Sequence, residues 1–400
     1  MTAIASATPS DQRQSTSWSA PAVDVPRIRT ELRQLWQHRD QRSETPTSAV
    51  AAGDFDFMRP STVNVIAVTE TAEQAAATAE LLLKLPDYSP SRSIVLARNA
   101  ASAEDLFTVQ LVIDERVLHR SSSPIRVEVI VICAPPGNDE ALASLATTLL
   151  LPDLPDVLYV PGDPVATNPL LLNLRERTDG MLVDTVATRD VGASLEFLRT
   201  TAGIRNRLGL GDLVWTRLRT WRDLIAQFYD QPAALASLEA ITSVNIVHAP
   251  GAAGGRSGLT ASLLIAGWLA SRLDWRTPGE LIPEESGYRL TLRAGGKGKS
   301  REVLLTITEG TGSFSCSSLE RVTLTATGSQ ASTFRVERVG ESVIMTSSST
   351  PHVPEMSRLV HSSCPSDNTI LAAKLRRLRI DSVYCEALDV AAILWPEGFA

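Results

Sequence analysis

The chain contains no complete catalytic motif, little aromatic character and no apolar run able to cross a membrane, and each lack narrows its function. Its longest uninterrupted apolar stretch, "LLIAGWLA" at 263–270, is far short of the roughly 20 residues a helical span needs. That disfavours a membrane role. Only 5 histidines and 4 cysteines occur among 400 residues. Cys133, Cys316, Cys364 and Cys385 show no Cys-x-x-Cys spacing, so they read as buried or incidental thiols, with a reversible disulfide as the alternative, and no metal site is expected. There is no Gly-x-Ser-x-Gly elbow and no His-Glu-x-x-His helix. None of His38, His119, His248, His352 and His361 pairs by spacing with a particular nucleophile or carboxylate. The first 25 residues lack a signal peptide's apolar core and include Asp11, which makes the cytoplasm the expected location.

Positive charge is also in deficit. A formal net charge of -7 is the wrong sign for a protein that binds nucleic acid by displacing counterions from phosphate. What is present, 44% hydrophobic and 21% charged residues, is the composition of a globular protein with length for two or three domains.

The pattern along the chain predicts three regions. Residues 1–53 read as a disordered leader, a docking helix over 25–40 and a polar linker. Val25, Ile28, Leu32, Leu35 and Trp36 fall at helical intervals, and such a narrow apolar face must dock on its own body or on another subunit. Residues 54–210 alternate strands such as "STVNVIAVTE" and "IRVEVIVICA" with helices such as "TAEQAAATAELLLKL", the signature of an N-terminal α/β domain with a partly parallel sheet. Residues 211–400 predict a C-terminal domain. Here short alternating segments, "YRLTLRA", "REVLLTITE", "GSFSCSSLE", "RVTLTAT", "STFRVERV" and "SVIMTSS", predict an antiparallel meander, with helices near 367–379 and 381–394 closing over one face. The fold class expected is α/β (α+β).

Two segments invite a functional reading. In "SVNIVHAPGAAGGRSGLT" a strand, a glycine-rich turn and a helix start resemble a phosphate cradle. The spacing from Gly251 is one residue short of a P-loop, however, and Arg256 stands where lysine is required. Arg256, Ser257 and Gly258 remain candidates for an anion, which makes a sugar-phosphate or nucleotide-binding enzyme the alternative function. The basic turn "GGKGKSR", with Lys297, Lys299 and Arg301, reads as a solvated hairpin tip.

The other segment, "GDLVWTRLRTWRDLIAQFYD" at 211–230, concentrates aromatic and basic residues. Projected as one helix, Leu213, Val214, Leu218, Trp221, Leu224, Ile225, Phe228 and Tyr229 share an arc of about 160°, and Asp212 suits its N-cap. Arg217 falls inside that arc, where an unpaired guanidinium is costly, so it needs a carboxylate or bound anion. Trp215 falls outside, near Arg219 and Arg222. These three read as partner-binding residues with cation–π contact between them, the alternative being an indole covered by another part of the chain. Asp212, Asp223 and Asp230 balance the arginines, which argues against a phosphate-backbone grip.

An ordered series of segments carries a family resemblance: "ELRQLW", "RPSTVNVIAV", "SRSIVLAR", "LLLPDLPDVLYVPGDP", "GDLVWTRLRTWRDLIAQFYD", "AGWLASRLDW" and "AAKLRRLRIDSVYCEALDVAA". Over roughly residues 25–395 the chain resembles the OpcA family of glucose-6-phosphate dehydrogenase assembly proteins. The resemblance implies no chemistry of its own and no cofactor. It implies an allosteric effector in the oxidative pentose phosphate pathway that binds glucose-6-phosphate dehydrogenase and promotes its active oligomer or conformation, with a homo-oligomer possible. In phototrophic members regulation is tied to thiol redox state, and the spacing of the four cysteines here carries nothing over. Where the family is usually richer in tryptophan, this chain reads "VLYVPGDP" with Tyr159.

Overall fold

The computed structural model describes residues 14–21, 24–40, 61–85, 90–98, 107–116, 125–204, 209–230, 232–250, 257–295, 301–312, 314, 318–328, 331–351 and 353–396. The chain divides into two compact units that interleave along the sequence. One comprises Met1–Tyr159, Pro169–Gly180 and Leu371–Arg377; the other comprises Val160–Asn168, Met181–Ile370 and Leu378–Ala400.

In the first unit the elements are β1 (Gln14–Pro21), α1 (Val25–Asp40), β2 (Val63–Thr69), α2 (Ala72–Leu83), β3 (Ser91–Arg98), β4 (Thr108–Arg116), β5 (Ile125–Ala134), α3 (Asp139–Leu149), β6 (Asp156–Val160) and α4 (Pro169–Arg175). Its strands lie in the order β1-β4-β5-β3-β2-β6. β2 runs parallel to β3 and β6, and β3 parallel to β5, while β4 and β1 are antiparallel additions. The sheet is therefore partly parallel. Its central strand "VNVIAVT" is buried at every position, as a strand between two layers must be.

Two local features tie the N-terminal segment down. Residues 14–21, expected within a structureless leader, instead form β1, paired with β4 from Gln14↔Glu115 to Pro21↔Thr108. Composition missed this because a polar edge strand needs little apolar surface when its partner supplies the ladder. Helix α1 buries Ile28, Leu32 and Leu35 within its own unit, and its Trp36 Nε1 donates to Glu128 Oε2 at 3.2 Å. Glu128 is itself ion-paired with Arg92, its register partner on β3, and Arg92 Nη1 donates to the Leu149 carbonyl at 2.8 Å.

The second unit holds β7 (Gly180–Val183), a 3₁₀ turn (Thr185–Ala187), α5 (Val191–Ile204), β8 (Gly209–Asp212), α6 (Leu213–Arg217), α7 (Arg219–Gln227), a 3₁₀ turn (Phe228–Asp230), α8 (Pro232–Leu238), β9 (Ile241–His248) and α9 (Ser257–Arg272). The strands β10 (Ile282–Glu284), β11 (Gly287–Ala294), β12 (Arg301–Glu309), β13 (Leu319–Ala326), β14 (Ser332–Gly340), β15 (Val343–Thr350) and β16 (Val353–His361) follow, then α10 (Asp367–Leu375), of which only Asp367–Ile370 belong to this unit, and α11 (Ser382–Leu394). The large sheet has the order β10-β11-β12-β9-β13-β14-β15-β16. β9 is inserted into the meander, parallel to β12 and antiparallel to β13.

The meander differs from expectation in two places. Of "GSFSCSSLE", Leu319 and Glu320 enter β13, whereas residues 313 and 315–317 lie outside the described residues. The strand β16, "VPEMSRLVH", has no clean alternation to announce it. The closing helices also sit differently. It is α9 that contacts β9, β12 and β13, while α11 packs along α9 and α5. The α9–α11 approach is close enough that a Cβ on Gly267 would run into the Ala387 carbonyl, so only glycine fits there.

Candidate functional site

The segment 211–230 is built around Asp212. Its backbone is extended (φ -125, ψ 134) and its carboxylate accepts from Val214 N at 2.8 Å, so it starts α6 as a side-chain N-cap. The same carboxylate accepts from Thr185 Oγ1 at 2.7 Å, and the residue is fully buried. Burial raises its pKa from 3.8 to about 6; the hydrogen bond from Thr185 opposes the rise and Asp184 adds to it.

Helix α6 stops after five residues. Leu218 has ψ near zero (-4) and serves as the C-cap of α6 and the N-cap of α7. Arg217, intermediate in exposure, lies between two carboxylates. Its Nη1 and Nη2 donate to Asp184 Oδ1 and Oδ2 at 2.8 and 3.0 Å, and Nη2 also donates to Asp367 Oδ1 at 2.8 Å. Burial works against its charge, but these carboxylates prevail and its pKa is raised.

Trp215 does not face outward. The expectation that it is an exposed partner contact is corrected by its burial: it is 1% exposed and among the largest fully buried side chains. Its Nε1 donates to Asp381 Oδ2 at 3.0 Å, its ring meets that of Tyr384 with centroids 5.6 Å apart, and the Arg222 guanidinium lies 3.4 Å from the ring centroid. Arg222 Nη1 also donates to the Trp215 carbonyl at 2.8 Å. Burial lowers the Arg222 pKa to about 10, with Asp381 and Asp223 opposing. Arg222 is thus part of the covering of Trp215 rather than an open contact. Arg219 alone of the three is fully solvent-facing, its side chain 79% exposed and 3.5 Å from Asp223.

Sequence reasoning missed Asp184, Asp367, Asp381 and Tyr384. Asp381 has a double role, accepting from Tyr384 N at 3.0 Å as the N-cap of α11 and from the Trp215 indole. Its position before "SVYCEALDVAA" signals a helix start, but nothing in a single sequence links it to a tryptophan 166 positions earlier.

The glycine-rich turn offers less. Residues 251–256, including Arg256, lie outside the described residues, as does the Ser257 side chain. Gly258 lies against the end of β9, where an added Cβ would stand 2.6 Å from both the Ala249 carbonyl and His248 Nδ1. That is close helix–strand packing. Lys297 and Lys299 lie outside the described residues, whereas Arg301 donates to the Ile241 and Leu238 carbonyls at 2.9 and 3.3 Å.

In the first unit the strand order reverses at β2, with β3 on one side and β6 on the other. Doubly wound sheets hold dinucleotides at such a switch point, on a glycine-rich turn before the first helix. Here the turn reads Glu70-Thr71-Ala72-Glu73. Thr71 Oγ1 accepts from Gln74 N at 3.2 Å and Gln74 Oε1 from Glu70 N at 2.9 Å. Two backbone donors that could hold phosphate are already taken, and two carboxylates stand beside them.

Two family models carrying the OpcA name match this chain. The N-terminal domain of a glucose-6-phosphate dehydrogenase subunit matches residues 84–200, and the C-terminal domain of such a subunit matches residues 208–388. The chain belongs to the OpcA family. Among its OpcA relatives, described as OxPP cycle proteins, that of Nostoc punctiforme is 30% identical over 171 residues, covering 43% of this chain and 35% of that protein. That of Synechocystis sp. is 27% identical over 136 residues, covering 34% and 27%. The matched stretch thus spans about a third of the length of these OpcA relatives. Among solved structures, an aldose-aldose oxidoreductase from Caulobacter crescentus aligns with a TM-score of 0.45 at 11% identity, over 82% of this chain and 95% of that one.

Proposed function

We propose that this OpcA-family chain is a non-catalytic effector of glucose-6-phosphate dehydrogenase, binding it and favouring its active oligomer or conformation. The observation that carries the reading is the match of both domains of a glucose-6-phosphate dehydrogenase subunit, in order, along residues 84–388. The chemistry of the chain supports it. Arg217 is held by Asp184 and Asp367 and the Trp215 indole by Asp381, all within the chain, and the β2–α2 turn is capped by its own side chains. An effector can shift a partner's equilibrium only by binding one state better, and a rigid helical segment presenting Arg219 and Asp223 suits that task. Partner binding is therefore assigned to the exposed side of α7 around Arg219.

The test mixes the full chain with the dehydrogenase of the same organism and follows activity together with mass by light scattering. A complex accompanied by a higher rate or tighter apparent substrate affinity is expected. Absence of both a complex and a kinetic change refutes the proposal. A thermal shift with nucleotides or sugar phosphates, roughly 2.7 kcal/mol at 100 times the dissociation constant, would instead favour an enzyme.

A further inference from the structure

Between the end of α7 and the last strands of the large sheet, the second unit holds a groove of about 460 Å³, lined by residues of that unit alone. The register explains why it is there. Two rows cross β14, β15 and β16 on the face where α7 meets β14: Phe334, Ser348 and Met356 in one, Val336, Thr346 and Arg358 in the other. In each row a short hydroxyl side chain on β15 stands between larger neighbours, so the floor dips along that strand. On the facing side, Phe228 and Tyr229 rest on Phe334 with ring centroids 5.2 and 5.0 Å away, which holds the 3₁₀ turn above the sheet.

The hydroxyls are out of keeping with their place. Strand β15 carries buried Ile344 on this face but continues with Thr346 and Ser348, where a covered strand usually presents apolar side chains. Thr350 also lines the groove. Its Oγ1 is shielded from solvent and finds no hydrogen-bond partner among the described residues, and a buried polar atom of that kind requires an explanation. The facing wall is partly apolar, with Leu224 and Phe228. Across the groove Arg358 Nη2 donates to Gln227 Oε1 at 2.9 Å. Asp230 supplies one carboxylate against the one guanidinium of Arg358, so the lining carries no net charge.

We propose that this groove binds an uncharged monosaccharide, its C–H face against Phe228 and Met356 and its hydroxyls against Thr346, Ser348 and Gln227. The volume lies within the roughly 300–1,000 Å³ of small-molecule sites, whose walls are mostly apolar with a few placed polar groups. Hydroxyl and amide side chains both donate and accept, and a sugar hydroxyl does the same, so either partner can supply the proton. A purely apolar ligand leaves the β15 hydroxyls unpaired, which is costly once water is excluded. An ion gains nothing from a lining whose two charges cancel.

The inference goes beyond the effector reading and does not rest on it, since its test needs no dehydrogenase. Isothermal titration calorimetry on the full chain uses D-glucose and D-ribose as probes, with indole and inorganic phosphate as an apolar and an anionic comparison. At least one sugar is expected to bind saturably with a dissociation constant below about 1 mM. Ser348→Leu fills the dip in the floor and Gln227→Ala removes the amide; each should weaken that sugar about tenfold or more while keeping the wild-type melting curve. Gln227 is exposed, so its variant keeps the test readable even where the leucine variant does not fold. Failure of both sugars to saturate overturns the proposal, as do folded variants that bind the sugar as wild type does. Tighter binding of indole or of phosphate than of either sugar overturns it too, giving the groove to an apolar or an anionic ligand.

Discussion

Replacing Trp215 by alanine separates a packing role from a contact role. The side chain is 1% exposed, and large-to-small changes of a buried tryptophan typically cost about 3–5 kcal/mol. Three further losses accompany the cavity here: the indole donor to Asp381, the ring beneath Arg222 and the contact with Tyr384. Because these partners share one site, their contributions do not add, and about 3–5 kcal/mol is the expected total. Urea denaturation followed by far-ultraviolet circular dichroism measures it without relying on tryptophan emission. Trp215→Phe keeps most of the ring but removes the N–H and should cost about 1–3 kcal/mol, the usual effect of leaving a polar partner unsatisfied. Arg219→Ala is the internal control. Its side chain is exposed, so its stability should stay within about 0.5 kcal/mol of wild type. A Trp215→Ala protein within about 1 kcal/mol of wild type, unfolding as cooperatively, would refute the burial argument outright.

Asp212 makes the stability of the second unit pH-dependent in a particular direction. Its folded pKa, near 6, lies above the ordinary 3.8, so the folded state holds the proton more tightly and this group's contribution is present below about pH 4 and lost as pH rises through 6. The gap corresponds to roughly 3 kcal/mol. Wild type should therefore gain stability relative to Asp212→Asn on going from pH 7 to pH 5, and parallel pH profiles would show that the carboxylate is not desolvated. Arg217→Ala leaves the buried Asp184 without its bidentate partner and should cost about 3–5 kcal/mol in the same urea assay; a loss under 1 kcal/mol contradicts the pairing. Gly258→Ala forces a methyl against the Ala249 carbonyl and His248, so a drop of about 1–3 kcal/mol is expected, and an unchanged melting temperature would mean that the turn has room to yield.

Much of this architecture was readable because hydrophobic periodicity reports local structure. The α1 face, the strand–helix alternation of the first unit and the N-cap at Asp212 all rest on neighbours in sequence. The reading of 211–230 failed at a definable point: the projected arc of Leu213, Val214, Leu218, Trp221, Leu224 and Ile225 is buried as expected, but a position outside that arc need not face solvent. Trp215 was then covered by residues around Asp381 and Tyr384, a pairing across the chain that no local pattern encodes. The same limit hid β1 and β16, strands whose partners rather than their own alternation give them their place.

The pairing of β1 with β4 has a consequence for handling the protein. β4 is rich in buried apolar side chains, Val109, Leu111, Val112 and Ile113, and at a sheet margin such a strand is a template for intermolecular pairing. The short polar "QSTSWSAP" strand occupies that margin, with Trp18 held near Arg27 at 5.8 Å. Residues 14–21 cover that margin, and a version of the chain trimmed to begin at α1 is expected to trade a hydrophilic border for a sticky one, read as faster aggregation in light scattering.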